Sequence, residues 1–64
     1  LNRIAQLREE KGLSQKELGD AIGVNQSTVH RYETGEYIPR LRIAMRMIAV
    51  LDCTMDDILE RDTA

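Results

Sequence analysis

Residues Gln15 to Gly35 read QKELGDAIGVNQSTVHRYETG, and the spacing of apolar residues and breakers in this stretch decides the fold. Ser14, just ahead of it, stands three residues before Glu17. That is the spacing of a capping box, in which hydroxyl and carboxylate satisfy two exposed backbone donors reciprocally. A helix is therefore predicted to begin at Ser14, with Leu18, Ala21 and Ile22 as its apolar face. Gly23 follows where a left-handed residue ends such a helix. Only Val24 lies between Gly23 and Asn25, a good N-cap, so a second helix is predicted from Gln26 to about Thr34, closing at Gly35. Two helices are thus joined by a three-residue turn, Gly23 to Asn25. In the second, Val29 and Tyr32 are expected inside, which leaves Gln26, Ser27, His30 and Arg31 on an entirely polar outer face.

The same signals extend in both directions. Upstream, a helix from about Asn2 to Lys11 places Ile4 and Leu7, with Leu1 and Ala5, on one stripe; Gly12 ends it and Leu13 continues the core. Downstream, Glu36 to Pro39 reads as a loop, and Pro39 is placed to open a fourth helix whose core stripe is Leu41, Ala44, Met47, Ile48 and Leu51. Thr54 and Asp57 repeat the cap-plus-acid spacing and start a fifth, with Met55, Ile58 and Leu59 apolar. There is no strand signal, internal repeat or low-complexity tract. The expected architecture is all-α: a compact five-helix domain over residues 1–60, with residues 61–64 a fraying tail.

Composition limits what such a domain does. At 64 residues it is one domain near the lower size limit for independent folding. Aromatics make up 3% of a chain that is 42% hydrophobic, so aliphatic side chains must fill the core, and the methionines Met45, Met47 and Met55 are read as fillers. The longest apolar run, Met47 to Leu51, is far short of the roughly 20 residues that span a bilayer, and no secretory leader is visible, so a soluble, cytoplasmic protein with no membrane partner is expected. The single cysteine, Cys53, fits a reducing compartment and reads as a small packing residue.

No metal and no cofactor are expected. His30 stands alone, and the carboxylates Asp56, Asp57, Glu60 and Asp62 lack the glycine-containing loop of a calcium hand. Nor is there a nucleophile with a base and an orienting group at recognisable spacing, so no catalytic residue is assigned and an enzyme is not expected. The net charge of −2 hides an asymmetry: residues 1–51 carry eight Lys/Arg against six Asp/Glu, whereas residues 52–64 carry Arg61 against five acids. Local charge, screened over about 8 Å, governs phosphate binding more than the total does.

A short helix, a glycine-containing turn and a second helix with a polar face form the helix-turn-helix arrangement, whose second helix can enter the DNA major groove. The residues sharpen that reading. Gln15, Leu18, Gly19, Ile22, Gly23, Val24, Val29, Tyr32, Glu33 and Gly35 closely resemble the pattern of the Cro and phage-repressor family, also called XRE-like. The likeness extends to LREEKGLSQ at Leu7 to Gln15, and to Pro39, Leu41, Leu51 and TMDDIL at Thr54 to Leu59. The family fold it implies is a five-helix, lambda-repressor-like domain. The implied function is sequence-specific DNA binding, with transcription regulated by occupation of an operator, in a prokaryotic or phage-encoded protein associated with the nucleoid when bound.

Physical chemistry assigns roles to the exposed positions. Gln26 can present its amide bidentately to adenine, Ser27 can contact several base edges, Arg31 has the planar fork that suits guanine O6 and N7, and the Thr28 methyl can touch thymine. Gln15, at a helix N-terminus, favours a phosphate, and the resemblance implies that it also braces Gln26. Asn25, Thr34 and Arg40 flank the groove as candidate phosphate contacts, and Arg40 adds a counterion-releasing charge. The resemblance also implies an ion pair, Arg8 with Glu33, that is scaffold rather than reader.

The fourth helix carries more apolar residues than its stripe requires, Ile43, Met45 and Val50 among them, so either the stripe is wide or a partner covers it. Because relatives of this family dimerise through their C-terminal part, Val50, Ile58 and Leu59 are assigned to a possible dimer surface, with a homodimer on a near-palindromic DNA operator expected. The alternative is a protein-interaction module, such as an antitoxin that binds a partner protein and its own promoter.

Overall fold

The computed structural model describes residues 2–59, which form five helices: α1 (Ile4–Glu10), α2 (Gln15–Ile22), α3 (Gln26–Thr34), α4 (Leu41–Leu51) and α5 (Met55–Ile58). No strand occurs among the described residues. Leu1, Glu60, Asp62 and the tail at 61–64, to which expectations were attached, lie outside them.

Local chemistry sets each boundary. Asn2 is not helical, against expectation. Its Oδ1 accepts from the Ile4 amide at 3.1 Å and its Nδ2 donates to the Tyr32 carbonyl at 2.7 Å, so it starts α1 and ties that start to the end of α3. Ser14 and Glu17 form the reciprocal capping box of α2, with bonds of 3.0 and 2.8 Å. Gly23, at φ 85°, ends α2 in the left-handed conformation that costs glycine little. Asn25 Oδ1 then accepts from the Thr28 amide at 2.8 Å and starts α3.

The turn is tight because Gly19 has no side chain: a Cβ there would lie 2.5 Å from the Val24 carbonyl oxygen. Pro39 does not open α4. Arg40 is the N-cap, in extended conformation, and Pro39 lies one residue further out, buried.

Ile4, Leu18, Ile22, Val29, Tyr32, Met47, Leu51 and Ile58 form the core, with Leu7, Leu13, Val24, Ile43, Ile48, Val50 and Cys53 packed around it. α2 lies against α3 and α4, α4 against α5, and α1 against α3. The stripe of α4 is wide on the flanks, since Ile43 and Val50 both reach the core. It is also shorter than expected. Leu41 is 68% exposed and Met45, read as a filler, is 59% exposed, because neither faces a neighbouring helix. Ala21 likewise lies on the exposed side of α2.

Two of the three residues assigned to a dimer surface face inward. Ile58 is 1% exposed and belongs to the core of the single chain, and Val50 is half-buried against it, which leaves Leu59 as the exposed member. The reason is the brevity of α5: its four residues offer one inward position, and Ile58 occupies it.

Cys53 packs on the core, and burial pushes its thiol pKa up, with Asp57 and Asp52 adding to the shift. A thiol held protonated is a packing group rather than a nucleophile. No group of three or more metal-ligating side chains occurs among the described residues, and no described helix is long and apolar enough to cross a membrane.

Candidate nucleic-acid interface

The inner face of α3 is fixed by Val29 and Tyr32, both buried. Their burial turns Gln26, Ser27, His30 and Arg31 outward, all exposed, while Thr28 is half-buried. Gln15, Asn25, Gln26, Ser27 and His30 line one shallow depression, which brings the N-terminus of α2 beside the first turn of α3. The Gln26 amide has no partner among the described residues. Asn25 and Ser27 are already engaged, since the Ser27 hydroxyl donates to Asn25 Oδ1 at 2.9 Å. That leaves the Asn25 amide nitrogen as its free donor.

Behind this face lies a polar knot. Arg8 Nε donates to Glu33, and Arg8 Nη1 donates to the Leu13 carbonyl at 2.8 Å. Gln15 Nε2 donates to Glu33 Oε1 at 2.9 Å and lies 3.4 Å from His30 Nδ1. The side chains of Arg8 and Glu33 are 13% and 8% exposed. The hydrogen bond that Arg8 donates to Glu33 is the largest influence raising the Arg8 pKa, so the guanidinium is permanently charged. Gln15 therefore braces the ion pair in the free chain, whereas its expected partner was Gln26. Its amide nitrogen turns toward the nearest carboxylate, the strongest acceptor within reach.

The flanking candidates differ in what they have to offer. Arg40 is exposed and its guanidinium has no partner among the described residues. Thr34 donates its hydroxyl to the Arg31 carbonyl at 3.1 Å. Lys16, on α2, is paired with Asp20 at 3.0 Å in an exposed bridge that contributes little stability.

A family model described as Helix-turn-helix matches residues 4–58. This chain belongs to the helix-turn-helix family. A protein of Bacillus subtilis bearing the name uncharacterized HTH-type transcriptional regulator YgzD is 35% identical over 57 residues, covering 89% of this chain and 86% of its own. An uncharacterized HTH-type transcriptional regulator of Archaeoglobus fulgidus is 34% identical over 56 residues, covering 88% and 80%. The HTH-type transcriptional regulator AnsR of Bacillus subtilis is 32% identical over 62 residues, which is 97% of this chain and 53% of AnsR.

The helix-turn-helix domain also contains contacts that sequence reasoning missed. Arg31 Nη1 donates to the Tyr37 hydroxyl at 3.0 Å, its guanidinium carbon lies 5.3 Å from the Tyr37 ring centroid, and its Nε is 3.6 Å from Glu36 Oε2. The chain reverses at Gly35, φ 82°, and the Tyr37 amide donates back to the Arg31 carbonyl at 3.1 Å. An exposed aromatic two residues beyond a helix-ending glycine was the available signal.

Proposed function

We propose that this helix-turn-helix domain binds double-stranded DNA and regulates transcription, with α3 lying in the major groove. One observation carries the reading: the face of α3 opposite Val29 and Tyr32 is wholly polar and exposed. The dimensions of the groove admit an α-helix, and sequence is read there by side chains that match donor and acceptor patterns on base edges.

Gln26, with its amide unengaged, reads adenine. Arg31 reads guanine, and Ser27 and Thr28 make the weaker contacts. Arg40 neutralises a phosphate, while Gln15 and the Asn25 amide nitrogen contribute uncharged backbone contacts that fix register; Thr34 joins them only by releasing the hydroxyl proton it gives to the Arg31 carbonyl. Two copies bind a near-palindrome with half-sites about one helical turn apart. The relatives described come from a bacterium and an archaeon, whose DNA lies in the cytoplasm, and that is the compartment proposed here.

Selection from a random duplex library, followed by titration at several salt concentrations, tests the division between readers and anchors. Gln26→Ala is expected to relax discrimination at one base pair by about 1–3 kcal/mol. Arg40→Ala is expected to weaken all sequences alike and to lower the salt slope by about one unit. Uniform loss in both variants would overturn the assignment. Sedimentation with and without the selected duplex tests the dimer, and a strict one-to-one complex would exclude it.

A further inference from the structure

Arg31 is a long side chain on an exposed helix face, and such side chains ordinarily sample many rotamers. Here three contacts from one loop converge on it. The Tyr37 ring lies under the guanidinium, its hydroxyl accepts from Nη1, and the Glu36 carboxylate stands beside Nε. The loop is itself anchored. The Tyr37 amide donates to the Arg31 carbonyl, the Thr34 hydroxyl donates to that carbonyl, and the Glu36 amide donates to Thr34 Oγ1 at 3.4 Å.

The planar guanidinium carries five N–H donors. Tyr37 takes one hydrogen of Nη1, and the Glu36 carboxylate adds charge attraction beside Nε at 3.6 Å, longer than a hydrogen bond. Nη2 has no partner among the described residues, so both of its hydrogens and the second hydrogen of Nη1 stay available for a base edge. A guanine O6/N7 pair is recognised by such a fork, and a fork held in place loses less freedom on binding than one that must be ordered at that moment.

We propose that Tyr37, aided by Glu36, is a specificity-determining positioning residue that holds the Arg31 guanidinium in its base-reading orientation. Tyr37 acts through Arg31 and touches no base in this role. The proposal rests on the reading of Arg31 as a guanine reader, and the test separates the two.

Affinity for the selected duplex is compared with affinity for duplexes changed at each base pair in turn, for the wild type, Arg31→Ala, Tyr37→Ala, Tyr37→Phe and the Arg31→Ala/Tyr37→Ala double variant. Arg31→Ala is expected to reduce the preference at one position by roughly ten- to a hundred-fold. Tyr37→Ala is expected to reduce preference at that same position by about five- to ten-fold, with the salt slope unchanged. The double variant should discriminate no worse than Arg31→Ala, and Tyr37→Phe, which keeps the ring under the cation, should fall between wild type and Tyr37→Ala.

Tyr37 is 44% exposed and lies outside the core cluster, so its truncation leaves that core intact. Helical circular dichroism of the wild-type strength provides the folding control. If Arg31→Ala relaxes a position and Tyr37→Ala leaves that position intact, the positioning role is overturned while base reading by Arg31 stands. A Tyr37→Ala loss spread evenly over all sequences would make Tyr37 a backbone contact and equally overturn it. If Arg31→Ala relaxes no position, the guanine reading fails and the positioning role fails with it.

Discussion

Glu33 serves two elements with one carboxylate, accepting from Arg8 of α1 and from Gln15 of α2 while standing on α3. Removing it strands a guanidinium that is 13% exposed, with the Leu13 carbonyl as its one remaining firm acceptor. Glu33→Ala is therefore expected to destabilise the fold by about 3 kcal/mol, measured by urea denaturation, whereas replacing both partners by apolar residues of similar volume should cost much less. Weaker DNA binding by Glu33→Ala would then follow from lost fold rather than a lost contact. The opposite case is Asp52, the C-cap of α4, at φ 53° and ψ 58°. A residue with a Cβ is strained in that left-handed region, by about 1–2 kcal/mol for most types and less for Asp. Asp52→Gly is expected to raise stability by up to about 1 kcal/mol after the glycine entropy cost, read as a higher midpoint in thermal unfolding.

At the scale of elements, the join between α2 and α3 depends on an absence. In most helix interiors Gly→Ala stabilises by roughly 0.5–1 kcal/mol. At Gly19 the added Cβ meets the Val24 carbonyl oxygen at 2.5 Å, and that oxygen belongs to the turn itself. Gly19→Ala is expected to lose about 2 kcal/mol, checked by urea denaturation, because the turn must open to admit the methyl. The order and number of the elements were legible in the sequence, since Ser14, Gly23, Asn25 and Gly35 act through neighbours a few residues away. Burial was less so. Leu41 has apolar spacing that fits the core and Met45 reads as a core filler, yet no helix covers them, and Ile58 turns inward because α5 is only four residues long. The outward face of α3 was legible from periodicity. What holds Arg31 and Gln15 was not, because Tyr37 returns to Arg31 through a chain reversal and Gln15 chooses between acceptors that spacing cannot rank.

The described residues are closed by a contact between the start of α1 and α5. Arg3 donates its backbone amide to the Asp57 carbonyl at 2.8 Å, and its Nη1 lies 3.0 Å from Asp57 Oδ1. The Asp57 carboxylate also accepts from the Thr54 amide at 3.0 Å and from the Thr54 hydroxyl at 3.1 Å. The hydrogen bond donated by the Thr54 backbone N–H is the largest influence holding the Asp57 carboxyl below the usual carboxylate range, followed among the lowering influences by the Thr54 hydroxyl and Arg3. A carboxylate with a depressed folded-state pKa contributes stability that is fully present above its unfolded pKa and is lost as the pH falls toward the folded value. Wild-type stability, followed by urea denaturation from neutral to acid pH, is expected to fall more steeply through that acid window than the stability of Asp57→Asn. Equal slopes would remove Asp57 from the account. The closure has a mechanical side as well. Because residues 3 and 57 meet, tension applied through them would fall first on the Arg3–Asp57 contacts. Spliced through those two residues into the loop of a larger protein, the described residues would hang from a single point like a bead on a thread, adding almost nothing to the reach of their host.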